Sequence, residues 1–173
     1  MPIPDKVAAA KRIDELLKGL IAQGGFRLKY RILVDPVLKD DRDWERPEIL
    51  VEFSGSDSEL LLERGAELLL ALEHLALNML RLEPDEHDKV SFDCMNYRAN
   101  RLEELRMAAA VAAEKVRKTG VPFQFSPMSA RERRIVHLAL RKESDLKTES
   151  QGEAGRRYVV VSLNKPAPTK KMT

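Results

Sequence analysis

The stretch FSPMSARERRIVHLALRKESDLKTESQGEAGRRYVV, residues 125–160, decides how the second half of this chain folds and what it offers to a ligand. Ser129 and Glu132 form an S-x-x-E capping box, which predicts that a helix begins at this point. Arg133 and His137 are four residues apart in that helix, so their side chains lie on one face, one above the other. We therefore expect a guanidinium and an imidazole to act together.

The residues that follow this helix add hydroxyls and further arginines. Two strand candidates, Leu146–Ser150 and Tyr158–Leu163, enclose a turn. An arginine presents a planar fork of donors that suits a phosphate, and a histidine donates to a phosphate oxygen or stacks on a base. The start of the capped helix adds backbone N–H groups and the positive end of a dipole. The candidate nucleic-acid-binding residues are Arg131, Arg133, Arg134, His137, Thr148, Ser150, Gly152 and Arg156. Gly152 is included because it permits close approach, whereas Arg157 and Lys142 are interpreted as solvated charges.

The charge of the chain is unevenly distributed, although the whole chain has a net charge of only +2. Residues 1–119 contain 19 Lys and Arg against 23 Asp and Glu, a net charge of −4, and residues 120–173 contain 11 against 5, a net charge of +6. Positive charge gathered in one part of a chain is typical of a module that binds a polyanion, although solvated lysines in a tail produce the same sum.

The order of predicted elements indicates two small α+β units. Helical periodicity over residues 5–23 is followed by two strands, a helical region interrupted near Arg64–Gly65, and a third strand. A long helix from Tyr97 then precedes a short strand, the capped helix and the two strand candidates. The first unit thus has the order α-β-β-α-α-β and the second the order α-β-α-β-β.

These orders and motifs resemble those of a known family. The first order is that of a type II KH domain, and the segments DCMNYRANRLEEL, PMSARERRIVHLAL and TESQGE resemble the Arg-x-x-x-His, or R-three-H, domain. The tandem is similar to the bacterial Jag family of cytoplasmic RNA-binding proteins, which are tied to control of cell elongation, division and envelope synthesis. The N-terminal domain of many family members is not found in this sequence. The resemblance implies a KH-like domain at 1–94 and an R-three-H domain at 95–165, and from its composition we expect the tail at 166–173 to be disordered.

The KH-like half departs from the family pattern at its binding loop. A KH domain clamps a nucleic-acid backbone with a G-x-x-G loop between two helices. The corresponding residues here are Leu62, Glu63, Arg64 and Gly65, so the first glycine is a leucine and an acidic side chain adjoins the place of a phosphate. We expect this loop to have lost most of its clamp and the KH-like unit to serve in packing or dimerisation.

The sequence contains no motif for catalysis, a cofactor or a membrane span. It lacks a P-loop, G-x-G-x-x-G, G-x-S-x-G and H-E-x-x-H, and Cys94 is the only cysteine, which we expect to be a buried thiol. No apolar run approaches the length of a membrane span, and the N-terminus lacks the apolar core of a signal peptide. We expect a cytoplasmic protein that is not an enzyme, with no cofactor, metal or small-molecule substrate.

Two interpretations of the function remain open. In the first, the chain binds single-stranded RNA or single-stranded DNA through residues 127–157, as the family resemblance implies for a post-transcriptional regulator. In the second, the KH-like half is a scaffold that forms a homodimer or binds a second KH protein, and nucleic acid is incidental. The motif itself has a plain alternative as well: His137 is a satisfied core histidine and Arg133 pairs with Glu132 or Glu149. The isolated motif favours this alternative, and the longer matching segment favours binding.

Overall fold

A computed structural model describes residues 3–37 and 47–164; the predicted disordered tail, 166–173, lies outside the described residues. The chain divides into two compact units, Met1–Arg98 and Ala99–Thr173. The elements in chain order are α1 (Lys6–Gly24), β1 (Leu28–Val34), β2 (Ile49–Gly55), α2 (Ser58–Leu80), a short 3₁₀ helix (Pro84–Lys89), β3 (Val90–Cys94), α3 (Tyr97–Thr119), β4 (Phe123–Gln124), α4 (Ala130–Ala139), β5 (Leu146–Gln151), a 3₁₀ turn (Ala154–Arg156) and β6 (Tyr158–Leu163).

The first unit is a three-stranded sheet with helices on one face. The strand order is β1-β2-β3, with β1 and β2 antiparallel and β2 and β3 parallel. A parallel pair needs a long crossover, which α2 supplies. Along β2 and β3 the residues Val51 and Phe92 are paired and fully buried, and they meet Ile13 and Leu17 of α1 in the core.

The ends of α1 are fixed by local chemistry. The Asp5 carboxylate accepts a hydrogen bond of 2.8 Å from the Ala8 N–H, which satisfies one of the donors that a helix start leaves open. At the other end Gly25 adopts φ = 66°, the left-handed conformation that commonly ends a helix. The helix expected over residues 5–23 is therefore confirmed, and it ends at Gly24.

A buried ion pair closes the outer edge of β3. The Glu73 carboxylate on α2 accepts hydrogen bonds from the Phe92 N–H at 2.8 Å and from the Arg98 guanidinium at 2.5 Å. Arg98 also donates through Nε to the Phe92 carbonyl at 3.0 Å. The two side chains thus satisfy the groups that a neighbouring strand would otherwise pair, which protects this edge.

The second unit is a smaller sheet that carries two helices. Its strand order is β4-β6-β5, and both pairs are antiparallel. Thr148 pairs with Val161 and Ser150 with Val159, so these four side chains share one face of the sheet. Val159 and Val161 are fully buried there, and α4 packs against β6. The hydroxyls of β5 therefore lie on the face that carries α4.

The predicted fold class is confirmed: the chain is α+β, with a KH-like unit followed by a second small α+β unit. The predicted interruption near Arg64–Gly65 is present inside α2, where residues 63–66 leave the helical conformation. The predicted long helix from Tyr97 is α3, and its buried residues include Leu102, Leu105, Ala109, Ala112 and Val116.

Candidate nucleic-acid interface

The helix α4 holds the Arg-x-x-x-His motif in place through its start and its buried face. Ser129 and Glu132 form the predicted capping box: the Ser129 hydroxyl accepts from the Glu132 N–H at 3.2 Å, and the Ser129 N–H donates to the Glu132 carboxylate at 2.9 Å. Ile135 and Val136 of this helix are buried. The Glu132 carboxylate therefore lies over the first turn of α4, where the sequence led us to expect space for a phosphate.

His137 joins α4 to β5 through two hydroxyls. Its Nδ1 atom lies 2.7 Å from the Thr148 Oγ1 and its Nε2 atom 2.9 Å from the Ser150 Oγ. Three of the predicted residues are thus brought into direct contact. Burial lowers the pKa of His137 below its ordinary value, and the neighbouring positive charge of Arg133 lowers it further.

The chemistry of this cluster follows from the neutral imidazole that the lowered pKa favours. A neutral ring has one N–H donor and one acceptor nitrogen. One hydroxyl therefore donates to the ring, while the other accepts from it and keeps its own hydrogen for a further partner. His137 is thus a satisfied, half-buried histidine, as the plain alternative holds, and at the same time it orients a hydroxyl donor.

Arg133 has no carboxylate partner among the described residues, although two were candidates. Glu132 accepts from Arg101 Nε at 2.7 Å, and Glu149 pairs with Lys147 at 2.5 Å. Partial burial lowers the pKa of Arg133, and the charge of Arg157 lowers it further. The half-buried Arg133 guanidinium therefore stays uncompensated, next to a second cation that we had interpreted as a solvated charge.

The remaining predicted residues lie on α4 and in the turn between β5 and β6. Arg131 is half-buried and Arg134 exposed on α4, and Arg156 is exposed at the end of the 3₁₀ turn. Gly152 adopts φ = 88°, and a Cβ built on it would lie 2.7 Å from the Arg156 carbonyl oxygen. The close approach that needs this glycine is therefore made by the backbone of the same turn.

The KH-like loop has the conformation of a connection between two helices. Glu63 is extended, with φ = −58° and ψ = 151°, and Arg64, Gly65 and Ala66 all have positive φ. A Cβ on Gly65 would meet no atom within 4 Å, so this position is open to solvent. Ala66, by contrast, is fully buried, which anchors the loop to the core of the first unit.

Two basic side chains at the first strand, Arg27 and Arg31, are paired with carboxylates. Arg31 pairs with Glu52 on the neighbouring strand, and Arg27 pairs with Asp57 at 3.0 Å. Paired cations attract a polyanion less than unpaired ones do, because each carries its own counter-charge. The first strand is therefore a weaker candidate than the face of α4 and β5.

Three further observations concern the cysteine, metal ligands and helix length within residues 3–37 and 47–164, which the structure describes. Cys94 is buried as predicted, and burial raises the pKa of its thiol. Within those ranges no group of three or more His, Cys, Asp or Glu side chains is placed to hold a metal ion. None of the helices in those ranges combines the length and apolar character needed to cross a membrane.

Comparison with known proteins identifies a domain in the second unit and relatives of the chain. Residues 103–163 match the R-three-H domain. The chain is 32% identical over 118 residues to the RNA-binding protein KhpB of Clostridium symbiosum, which covers 68% of this chain and 53% of the relative. It is 35% identical over 111 residues to the RNA-binding protein KhpB of Bacillus subtilis (strain 168), covering 63% of this chain and 53% of the relative. It is 28% identical over 125 residues to the RNA-binding protein KhpB of Lactiplantibacillus plantarum, covering 72% of this chain and 39% of the relative.

The match therefore spans about half the length, or less, of these relatives. The aligned region of this chain continues outside the R-three-H domain, because more than 110 aligned residues cannot fit into residues 103–163. The chain thus carries an R-three-H domain and is similar, beyond that domain, to the KhpB proteins of the Jag family.

Proposed function

We propose that this chain binds single-stranded RNA, and that the R-three-H unit makes the main contacts to the phosphate backbone. The observation that carries the proposal is the uncompensated guanidinium of Arg133 on the same helix face as His137, which holds the hydroxyls of Thr148 and Ser150. The names of the relatives, RNA-binding protein KhpB, support the choice of RNA as the ligand.

The binding mode follows from the groups available. Guanidinium and hydroxyl donors suit the oxygens of a phosphodiester, and they carry little information about base sequence. We therefore propose binding that is mainly electrostatic and tolerant of sequence. Neutralisation of about four phosphates would give a slope of log K against log salt of roughly −3 for a single strand.

We also propose that the protein acts without catalysis, in the cytoplasm. A hydroxyl beside an imidazole occurs in hydrolases, where a carboxylate orients the far nitrogen of the ring. Here the far nitrogen bonds to a second hydroxyl, that of Thr148, and no carboxylate among the described residues contacts His137. The arrangement favours donation of hydrogen bonds to a ligand over activation of a nucleophile.

The KH-like loop is assigned a minor role. Glu63 adjoins Arg64 in the loop, so the local charge is balanced. A homodimer, or pairing with a second KH protein through this unit, stays a prediction, as does the link to cell elongation and envelope synthesis. Light scattering of the chain without nucleic acid measures the first of these directly.

The experiment that tests the proposed function is a fluorescence-anisotropy titration of a labelled single-stranded RNA, repeated at several salt concentrations. The matching DNA strand and the RNA duplex serve as comparison ligands. We expect the single-stranded RNA to bind with the salt slope given above and the duplex to bind more weakly. An affinity that does not change with salt, or absence of binding, would contradict the proposal.

A further inference from the structure

The residue just before β6 carries a side chain toward the face of α4. Arg157 directly precedes β6 with an extended backbone, φ = −75° and ψ = 139°, and it lies opposite Gly152 when the register that pairs Gln151 with Tyr158 is continued by one residue. Val159 and Val161 point to the α4 face, and Arg157 is two residues before Val159. Arg157 therefore shares the face of Thr148 and Ser150, whereas the adjacent Arg156 belongs to the 3₁₀ turn.

Two backbone contacts fix Arg157 beside the start of α4. Its carbonyl accepts a hydrogen bond of 2.9 Å from the Met128 N–H, directly before the cap residue Ser129. On the other side, a Cβ built on Gly152 would lie 3.3 Å from the Arg157 Cα. The absence of a side chain at Gly152 thus lets β5 and the Arg157 backbone close together.

The charge of Arg157 reaches Arg133. Burial lowers the pKa of Arg133, and the positive charge of Arg157 lowers that pKa further. Within the described ranges neither side chain forms an ion pair, although Arg101, Arg106 and Arg117 in the same unit all do. Two neighbouring cations without a counter-charge repel each other, and an anion placed between them relieves that repulsion.

We propose that Arg157 is a second phosphate-binding residue, which forms with Arg133 a two-arginine seat for one backbone phosphate, and that Arg156 is not part of this seat. The inference rests on the proposed function, since it names the residues that hold the phosphate at that site. It also assigns a specific contact to a residue that the sequence pattern leaves among the solvated charges.

The test compares Arg157→Gln with Arg156→Gln in the full chain, with a labelled single-stranded RNA as the probe. The two arginines are adjacent, both are exposed, and both variants lose one positive charge, so they form a matched pair. We expect Arg157→Gln to weaken binding by on the order of tenfold, as loss of a charge-assisted contact does, and Arg156→Gln by about twofold or less. The salt slope should fall by about 0.7 in Arg157→Gln alone.

A second measurement separates a loss of binding from a loss of folding. Because Arg157 and Arg133 repel each other, Arg157→Gln should leave the unfolding temperature of the free chain unchanged or raised. Equal loss of affinity in the two variants, or no loss in Arg157→Gln while Arg133→Gln binds weakly, would overturn the seat and leave the proposed function standing. Absence of binding by the wild-type chain would overturn both.

Discussion

The imidazole Nε2 of His137 and the hydroxyl oxygen of Ser150 lie 2.9 Å apart, which joins a helix to a strand 13 residues further along the chain. The contacts of the ring with Ser150 and Thr148 fix both hydroxyls, and the hydroxyl that accepts from the ring keeps its hydrogen as a donor for a ligand. Preorganised donors lose less entropy on binding than mobile ones do.

Replacement of the Ser150 hydroxyl should therefore lower RNA affinity more than it lowers the free energy of unfolding. We expect Ser150→Ala to weaken binding by about threefold to tenfold, the range for one neutral to charge-assisted hydrogen bond. Ser162→Ala is the control, because Ser162 pairs with Lys147 and alternation places both on the opposite face of the sheet. Titration of both variants with the same RNA measures the effect, and equal affinities would exclude Ser150 from the site.

The lowered pKa of His137 predicts how stability depends on pH. In the unfolded chain a histidine titrates near its ordinary pKa of about 6.5, and in the folded chain burial, with the charge of Arg133, holds the pKa lower. The contribution of the neutral ring is therefore present above the unfolded pKa and is lost as the pH falls through the folded pKa. Urea unfolding near pH 7.5 and near pH 5 should show a smaller loss of stability in His137→Gln than in wild type. An equal loss in both proteins would contradict the burial of a neutral ring.

Loss of the Glu73–Arg98 pair should greatly lower the free energy of unfolding of the first unit. Glu73→Ala leaves the Arg98 guanidinium and the Phe92 N–H without this partner in a largely buried place, so we expect a loss of about 3 kcal/mol in the free energy of unfolding. Glu114→Ala is the control, since Glu114 and Lys118 form an exposed pair at 3.7 Å and such pairs contribute about 0.5 kcal/mol or less. Similar losses in the two variants would show that the edge of β3 does not depend on the pair.

The conformation of Gly152 predicts that a side chain at this position lowers the free energy of unfolding. Gly152→Ala puts a Cβ 2.7 Å from the Arg156 carbonyl oxygen at φ = 88°, so we expect a loss of about 2 kcal/mol or more. Gly25→Ala should cost about 1 kcal/mol, because φ is also positive there but no atom lies within 4 Å. Thermal unfolding of both variants compares the two costs, and a larger loss in Gly25→Ala would contradict the packing at Gly152.

The features of this site that lie within one helix could be predicted from the sequence. The S-x-x-E box and the four-residue spacing of Arg133 and His137 are properties of a single helix, so both were confirmed as geometry. The contacts of His137 with Thr148 and Ser150 depend on how α4 packs on the sheet, which periodicity alone does not specify. In the sequence these residues could be grouped only by their chemistry and by their closeness along the chain, and the family resemblance supported that grouping.

Other features could not be predicted, because they depend on tertiary pairing. Arg157 was interpreted as a solvated charge, and its face follows only once the register of β5 and β6 is known, although its two-residue spacing from Val159 was a usable signal. The pairing of Glu73 with Arg98 joins residues that are 25 positions apart on different helices. The ion pair between Glu132 and Arg101 could not be predicted either, and it occupies one of the two carboxylates that were candidate partners of Arg133.

The most direct test of the account is the affinity of Arg133→Gln for a labelled single-stranded RNA, measured beside Arg106→Gln. Both variants remove one positive charge from the same unit, but Arg106 pairs with Glu103 at 3.0 Å on α3, whereas Arg133 has no carboxylate partner among the described residues. The account predicts that Arg133→Gln weakens binding by about tenfold and Arg106→Gln by about twofold or less. Equal affinities of the two folded variants would contradict it and would place the interface away from α4 and β5.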